Sequence, residues 1–151
     1  MFLIICNVKG VLKMFKISYI LLLLSVLVVY SVAKAECRFW DVGGGFKVDQ
    51  DNDYHPIFYL DQDQDGTIHG SAEYTHGPGP TYGTVVDGSN ISGSEFHVVV
   101  QWDEKTINTR GAYDGFFNNN GELSGRTCDV FHPSSCTNWS VKNRRFACLK
   151  P

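Results

Sequence analysis

Phe96-His97-Val98-Val99-Val100-Gln101-Trp102 places a large apolar side chain at every second position. Successive side chains of an extended chain point to opposite faces. This stretch therefore reads as a strand with Phe96, Val98, Val100 and Trp102 on the core face and His97, Val99 and Gln101 facing outward. The valines favour the same conformation, because their branched Cβ fits a pleated surface.

Around it a glycine pattern recurs: Gly66-x-Ile68-x-Gly70, Ile91-x-Gly93 and Gly121-x-Leu123-x-Gly125, each leading into residues of strand type. Glycine at such starts permits the tight backbone of a hairpin. The remaining strands are expected near 38–48, 57–61, 67–74, 82–87, 109–117, 123–129 and 140–148. Turns fall at 62–65 and 88–92 and at Asn118-Asn119-Asn120-Gly121, with a proline-containing loop over 75–81. Gly43-Gly44-Gly45 lies within the first strand, where such a triplet bends the chain or lets another backbone or a ligand come close. No segment keeps a helical period over three turns. The expected fold is all-β: about eight antiparallel strands in a meander, closed into a small barrel that leaves no strand edge unpaired. A two-sheet sandwich built from the same strands is the alternative.

Residues 1–35 contain Lys9, Lys13, Lys16 and Lys34 but no acidic residue, run almost wholly apolar from Ile17 to Val32, and end in Ala33-Lys34-Ala35. They read as a signal peptide cleaved before Glu36 rather than as a membrane anchor, leaving one domain over 36–151. All 16 acidic residues lie in that domain but only nine of the 13 lysines and arginines, a formal charge of −7. Nucleic acid and anionic membrane are thereby disfavoured as partners.

Four cysteines remain after cleavage, Cys37, Cys128, Cys136 and Cys148. In an exported chain this number implies two disulfides, for which three pairings exist. Cys37 with Cys148 and Cys128 with Cys136 is favoured. The first joins the terminal strands that a closed sheet makes neighbours, and the second staples a short loop. Asn90-Ile91-Ser92 and Asn138-Trp139-Ser140 are glycosylation sequons if the host is eukaryotic.

The densest polar run, Asp61-Gln62-Asp63-Gln64-Asp65-Gly66, opens like a calcium loop. Its twelfth position is Ala72, however, where the bidentate glutamate belongs, so a solvated turn is expected. Asp49, Asp51 and Asp53 form a second acidic run with the same plain reading. His55, His69, His76, His97 and His132 follow no zinc-binding spacing, and no serine sits in a nucleophile elbow. No catalytic residue, metal site or cofactor is expected.

Aromatic residues make the better case for recognition. Trp40, Trp102 and Trp139, with Tyr74, Tyr82, Tyr113 and Phe116, would line a barrel interior or mouth, combining flat apolar area with N–H and hydroxyl groups. Trp102 also suits the core, whereas Trp40 and Trp139 lie nearer strand ends, where a mouth position is expected. The candidate ligand-binding residues are thus Trp40, Tyr82, Trp102 and Trp139.

Gly66-Thr67-Ile68-His69-Gly70-Ser71-Ala72-Glu73-Tyr74 resembles the glycine-flanked strand of the second hairpin in avidin-like and wider calycin barrels. The 96–102 stretch resembles their aromatic-ended central strand, and Trp139 falls where they carry a later tryptophan. The resemblance implies a ligand held inside a closed barrel, with Trp102 and Trp139 in its wall. Where that group places an asparagine and a serine for the biotin ureido group, Asp41-Val42-Gly43 follows Trp40, so biotin is not the expected ligand. The functional expectation is a monomeric, non-enzymatic extracellular protein binding a small apolar or sugar-like molecule or a glycan. The alternative is a secreted inhibitor or effector that meets another protein through the 75–81 loop and Phe131-His132-Pro133.

Overall fold

The computed structural model describes residues 37, 39–86, 88–103 and 109–149; the expected signal peptide lies outside the described residues. The described chain is all-β. Twelve strands run in the order β1 (Phe39–Asp41), β2 (Gly44–Lys47), β3 (Asp49–Gln50), β4 (Ile57–Gln62), β5 (Ile68–Thr75), β6 (Pro80–Val85), β7 (Asn90–Ser92), β8 (Glu95–Trp102), β9 (Thr109–Phe117), β10 (Leu123–Asp129), β11 (Cys136–Ser140) and β12 (Ala147–Leu149).

The main sheet is an antiparallel meander with strand order β2-β4-β5-β6-β8-β9-β10-β11-β3. β2 and β3 are two halves of one extended stretch separated only by Val48. Its first half pairs with β4 (Phe46 opposite Phe58) and its second half with β11 (Gln50 opposite Trp139). The sheet therefore curls until its two edges meet on the same seven residues, 44–50, giving a nearly closed barrel.

Alternation along each strand fills this barrel. On β8, Phe96, Val98, Val100 and Trp102 are buried, and Phe58, Leu60, Ile68, Ala72, Tyr113 and Leu123 meet them from neighbouring strands. Large rings fit because glycines stand opposite them. The Trp102 ring lies where a Cβ on Gly83 would stand, 2.6 Å from that point, and Trp139 lies 2.7 Å from the corresponding point on Gly115.

β1 and β12 form a separate two-stranded ribbon, with Trp40 opposite Cys148, and Cys37–Cys148 joins them. Cys128–Cys136 links directly opposed residues of β10 and β11, so both disulfides follow the pairing favoured by the sequence. The ribbon belongs to one end of the barrel: Trp40 stacks on Phe117 at 5.2 Å, Phe146 meets the edges of Phe46 and Phe117, and the Arg144 guanidinium lies over Phe46 and Phe146 while donating to the Gly43 carbonyl.

Three local expectations change. Gly43 and Gly44 break the first strand into β1 and β2, Gly44 with φ of +91°, because the chain leaves the ribbon there and enters the barrel. Residues 90–92 form β7, paired with β8 through a tight turn at Gly93, and bury Ile91. The strand that completes the barrel is β11 at Cys136–Ser140; the expected last strand over 140–148 is largely irregular, because its apolar Val141 and Phe146 turn into the closed end.

Chain entropy ranks the two crosslinks. Cys37–Cys148 spans 111 residues and Cys128–Cys136 only 8. Serine at both ends of the first should lower unfolding free energy by about 5 kcal/mol, and of the second by about 2.5 kcal/mol, on the loop-closure model; equilibrium urea unfolding of the two double variants measures the order. Gly115→Ala should cost about 1–3 kcal/mol in the same assay, since the added methyl meets both the Trp139 ring and the Ser124 carbonyl.

Candidate functional site

Opposite the ribbon, the barrel opens. β3 stops at Gln50, β5 runs out past Tyr74, β8 ends at Trp102, β9 begins at Thr109, and the β10–β11 hairpin projects beyond Asp129. Their inward-facing ends surround a cleft of about 490 Å³, within the range of small-molecule sites.

The floor is polar and nearly dry. Gln50, Thr127 and Tyr113 are 8%, 7% and 4% exposed. The Gln50 Nε2 group donates to the Tyr113 hydroxyl at 3.0 Å, and the Thr127 side chain hydrogen-bonds the same phenol. Burial pushes the Tyr113 phenol well above its ordinary value of 10.0, against the smaller opposing effect of these two hydrogen bonds. The floor is thus held neutral at physiological pH.

One wall is aromatic. Trp102 meets Tyr74 edge to face at 4.9 Å, Tyr74 meets Tyr54 at 5.2 Å, and Tyr54 stacks on His76 at 4.5 Å. The rings thus form a continuous strip from the barrel interior to the rim. Across the cleft, Thr137 and the Cys128–Cys136 disulfide stiffen the other side. The Asp129 carboxylate accepts from the backbone N–H groups of Phe131 and His132 and pairs with the His132 ring. Burial raises its pKa, but those hydrogen bonds outweigh it and hold the carboxyl below its usual range. Asp129 is therefore engaged in shaping its own loop.

Of the four sequence candidates, the structure brings only Trp102 to the cleft. Trp40 and Trp139, expected at a mouth, are core residues at 7% and 3% exposure. Trp40 is carried across the closed end by the β1–β12 ribbon, and Trp139 points inward over Gly115. Their indole N–H groups are buried without a hydrogen-bond partner among the described residues. Tyr82 stands on the outer surface of β6, because its neighbour Gly83 takes the inward position.

Tyr74 and Tyr113, named from their aromatic character, do line the cleft, whereas Gln50, Tyr54, Thr109 and Thr127 went unrecognised. Strand parity held the signal for one of them, since Thr127 lies two residues beyond Gly125 on the same face as Leu123.

Elsewhere, His55, His69, His97 and His132 each pair with a single aspartate, at 3.1, 3.1, 2.6 and 3.1 Å. In the turn after β4 the Asp65 carboxylate accepts the Thr67 N–H, a bond that lowers its pKa. Among the described residues no group of three or more histidine, cysteine or acidic side chains is placed to hold a metal ion.

The buried phenol has a consequence for stability. In the unfolded chain Tyr113 loses its proton near its ordinary value of 10.0, while in the folded protein it keeps it to higher pH. Its contribution is therefore complete below pH 10 and is lost as pH rises through the folded value. Urea midpoints measured from pH 8 to 11.5 should fall more steeply above pH 10 for the wild type than for Tyr113→Phe.

Compared with known proteins, the chain matches no family model, no curated protein and no solved structure, so the reading of the cleft rests on its own geometry.

Proposed function

We propose that the protein is a non-enzymatic extracellular binding protein that takes a small, uncharged, sugar-like ligand in the cleft at the open end of the barrel. The observation that carries this reading is the combination of the Trp102–Tyr74 wall with a floor of neutral hydrogen-bonding groups. A flat ring covers the apolar C–H face of a sugar. Hydroxyl and amide groups both donate and accept, as sugar hydroxyls do. Among the described residues the floor carries no charge, and the charged groups of the cleft lining are engaged, the Arg110 guanidinium with Gln101 Oε1 and the Asp129 carboxylate with its own loop.

Two disulfides are compatible with an oxidising extracellular environment. Strand alternation exposes Asn90 and Asn138 while burying Ile91 and Trp139, so a eukaryotic host would find both sequons open to glycans on the folded surface. The resemblance to avidin-like barrels belongs with this reading as a proposal about fold and cavity use.

A second reading has its own observation. Val130 and Phe131 are 43% and 53% exposed on the loop stapled by Cys128–Cys136. A stiff loop presenting two adjacent apolar side chains is suited to anchor in a pocket of another extracellular protein.

Titration of the 15N-labelled protein with a panel of neutral hexoses and N-acetylhexosamines tests the first reading. Amide shifts should cluster at 50–56, 109–113 and 127–137. Trp102→Ala should weaken the best-bound sugar about 30-fold, the loss of one well-buried aromatic anchor, while Tyr82→Ala leaves it unchanged. Equal binding by both variants would move the weight to the stapled loop.

A further inference from the structure

Two rings at the rim come from loops far apart in the chain. Tyr54 closes the turn after β3, where the Gln50 N–H donates to the Tyr54 carbonyl and Asp53 takes a φ of +64°. His76 follows the end of β5 and precedes Gly77-Pro78-Gly79-Pro80. The two rings nevertheless stack at 4.5 Å, 17° from parallel. Tyr54 lines the cleft, whereas His76 stands outside its lining and is exposed. The aromatic strip thus continues past the cleft. Exposure rises along it from Trp102 at 8%, through half-buried Tyr74 and Tyr54, to His76.

Inward, the cleft is blind. Below its floor Tyr113 meets the Phe58 and Trp139 rings, Trp139 meets Phe96, Phe96 meets Phe117, and Phe117 stacks on Trp40. This column of rings fills the barrel down to its plugged end. A ligand longer than the cleft therefore rests one end on the floor and carries the remainder outward over the rim.

The angles along the strip select the kind of chain. Neighbouring ring planes turn by 79° between Trp102 and Tyr74 and by 66° between Tyr74 and Tyr54. A flat fused-ring molecule that lies on one of these faces meets the next ring only at its edge. A chain of saturated rings joined by rotatable bonds can turn an apolar C–H face to each in succession. The centroid steps of 4.9, 5.2 and 4.5 Å are each close to the length of one pyranose unit.

We infer that the ligand is the end of a neutral oligosaccharide chain: its terminal unit enters the cleft against Trp102 and Tyr74, and the following units run outward over Tyr54 and His76. This deepens the proposed function and rests on it. The floor then reads the hydroxyls of the terminal unit, and the rim rings read chain length.

Calorimetric titration of the secreted protein with mono-, di- and trisaccharides of β-linked glucose, β-linked N-acetylglucosamine and α-linked mannose tests this. The readout is the ratio of trisaccharide to monosaccharide affinity in the series that binds best. It should be about tenfold or more in the wild type, fall to about one in His76→Ala, and recover in His76→Phe, which keeps a ring on Tyr54. A stack that only ties the two loops together would lower all affinities alike and leave the ratio unchanged. A trisaccharide carrying a bulky group at both termini should bind about tenfold more weakly than the free one, since no terminal unit reaches the floor. Far-UV circular dichroism establishes that His76→Ala is folded; if it is not, the chain-length and blocked-chain measurements on the wild type carry the test.

A wild-type ratio near one, an unchanged ratio in folded His76→Ala, or equal binding of the doubly blocked chain overturns the end-on mode and, with Trp102→Ala still defective, leaves the cleft reading standing. Absence of binding by every member of the three series overturns both.

Discussion

Residues 44–50 hold the architecture together. One short stretch of chain supplies the edge partner for β4 through its first half and for β11 through its second. The second contact is short, with only two residue pairs, Trp139 with Gln50 and Ser140 with Asp49. Closure gains support from side chains as well as from the ladder. Phe46 stacks near Phe58, Val48 is buried, and Gln50 reaches across the interior to the Tyr113 hydroxyl. Because a strand shifted by one residue would turn all three outward, the register that closes the sheet is also the one that fills it.

The two ends of the barrel differ because different residues reach them. At one end Trp40, Phe117, Phe46 and Phe146 pack together under Arg144, and the Cys37–Cys148 ribbon belongs with them. At the other end the inward positions carry Gln50, Thr109, Thr127 and Thr137 beside Trp102 and Tyr74. Polar groups are costly in an interior unless partnered. Here they sit where the packing opens: Gln50 and Thr127 meet at the Tyr113 hydroxyl, while Thr109 Oγ1 is buried without a hydrogen-bond partner among the described residues. The cleft is thus a consequence of composition at the strand ends, and glycines at 83 and 111 set its shape by letting the Trp102 ring pack close against the backbone of both neighbouring strands.

Much of the fold was legible in the sequence because it depends on local rules. The alternation of Phe96, Val98, Val100 and Trp102 is a property of one strand, and each of these side chains is buried as the period requires. Gly66 and Gly121 have positive φ, as their turn positions call for. The site was less legible. A tryptophan near a strand end can face a mouth, a plugged end or a neighbouring strand, and Trp102, Trp40 and Trp139 take three such places with similar local sequence signals. Gln50 carried no distinguishing signal and Thr127 only its strand parity, since both gain their roles only by meeting Tyr113 from other strands.

The sequence by itself determined the strand type of the chain, the meander and the inward face of the central strands, because side-chain alternation and glycine turns act over a few residues. The tertiary structure alone decided which strand closes the barrel, which end is plugged, and which polar residues converge on the cleft. Those outcomes depend on pairings between residues as far apart as Gln50 and Trp139, whose register is set by how well the whole interior fills.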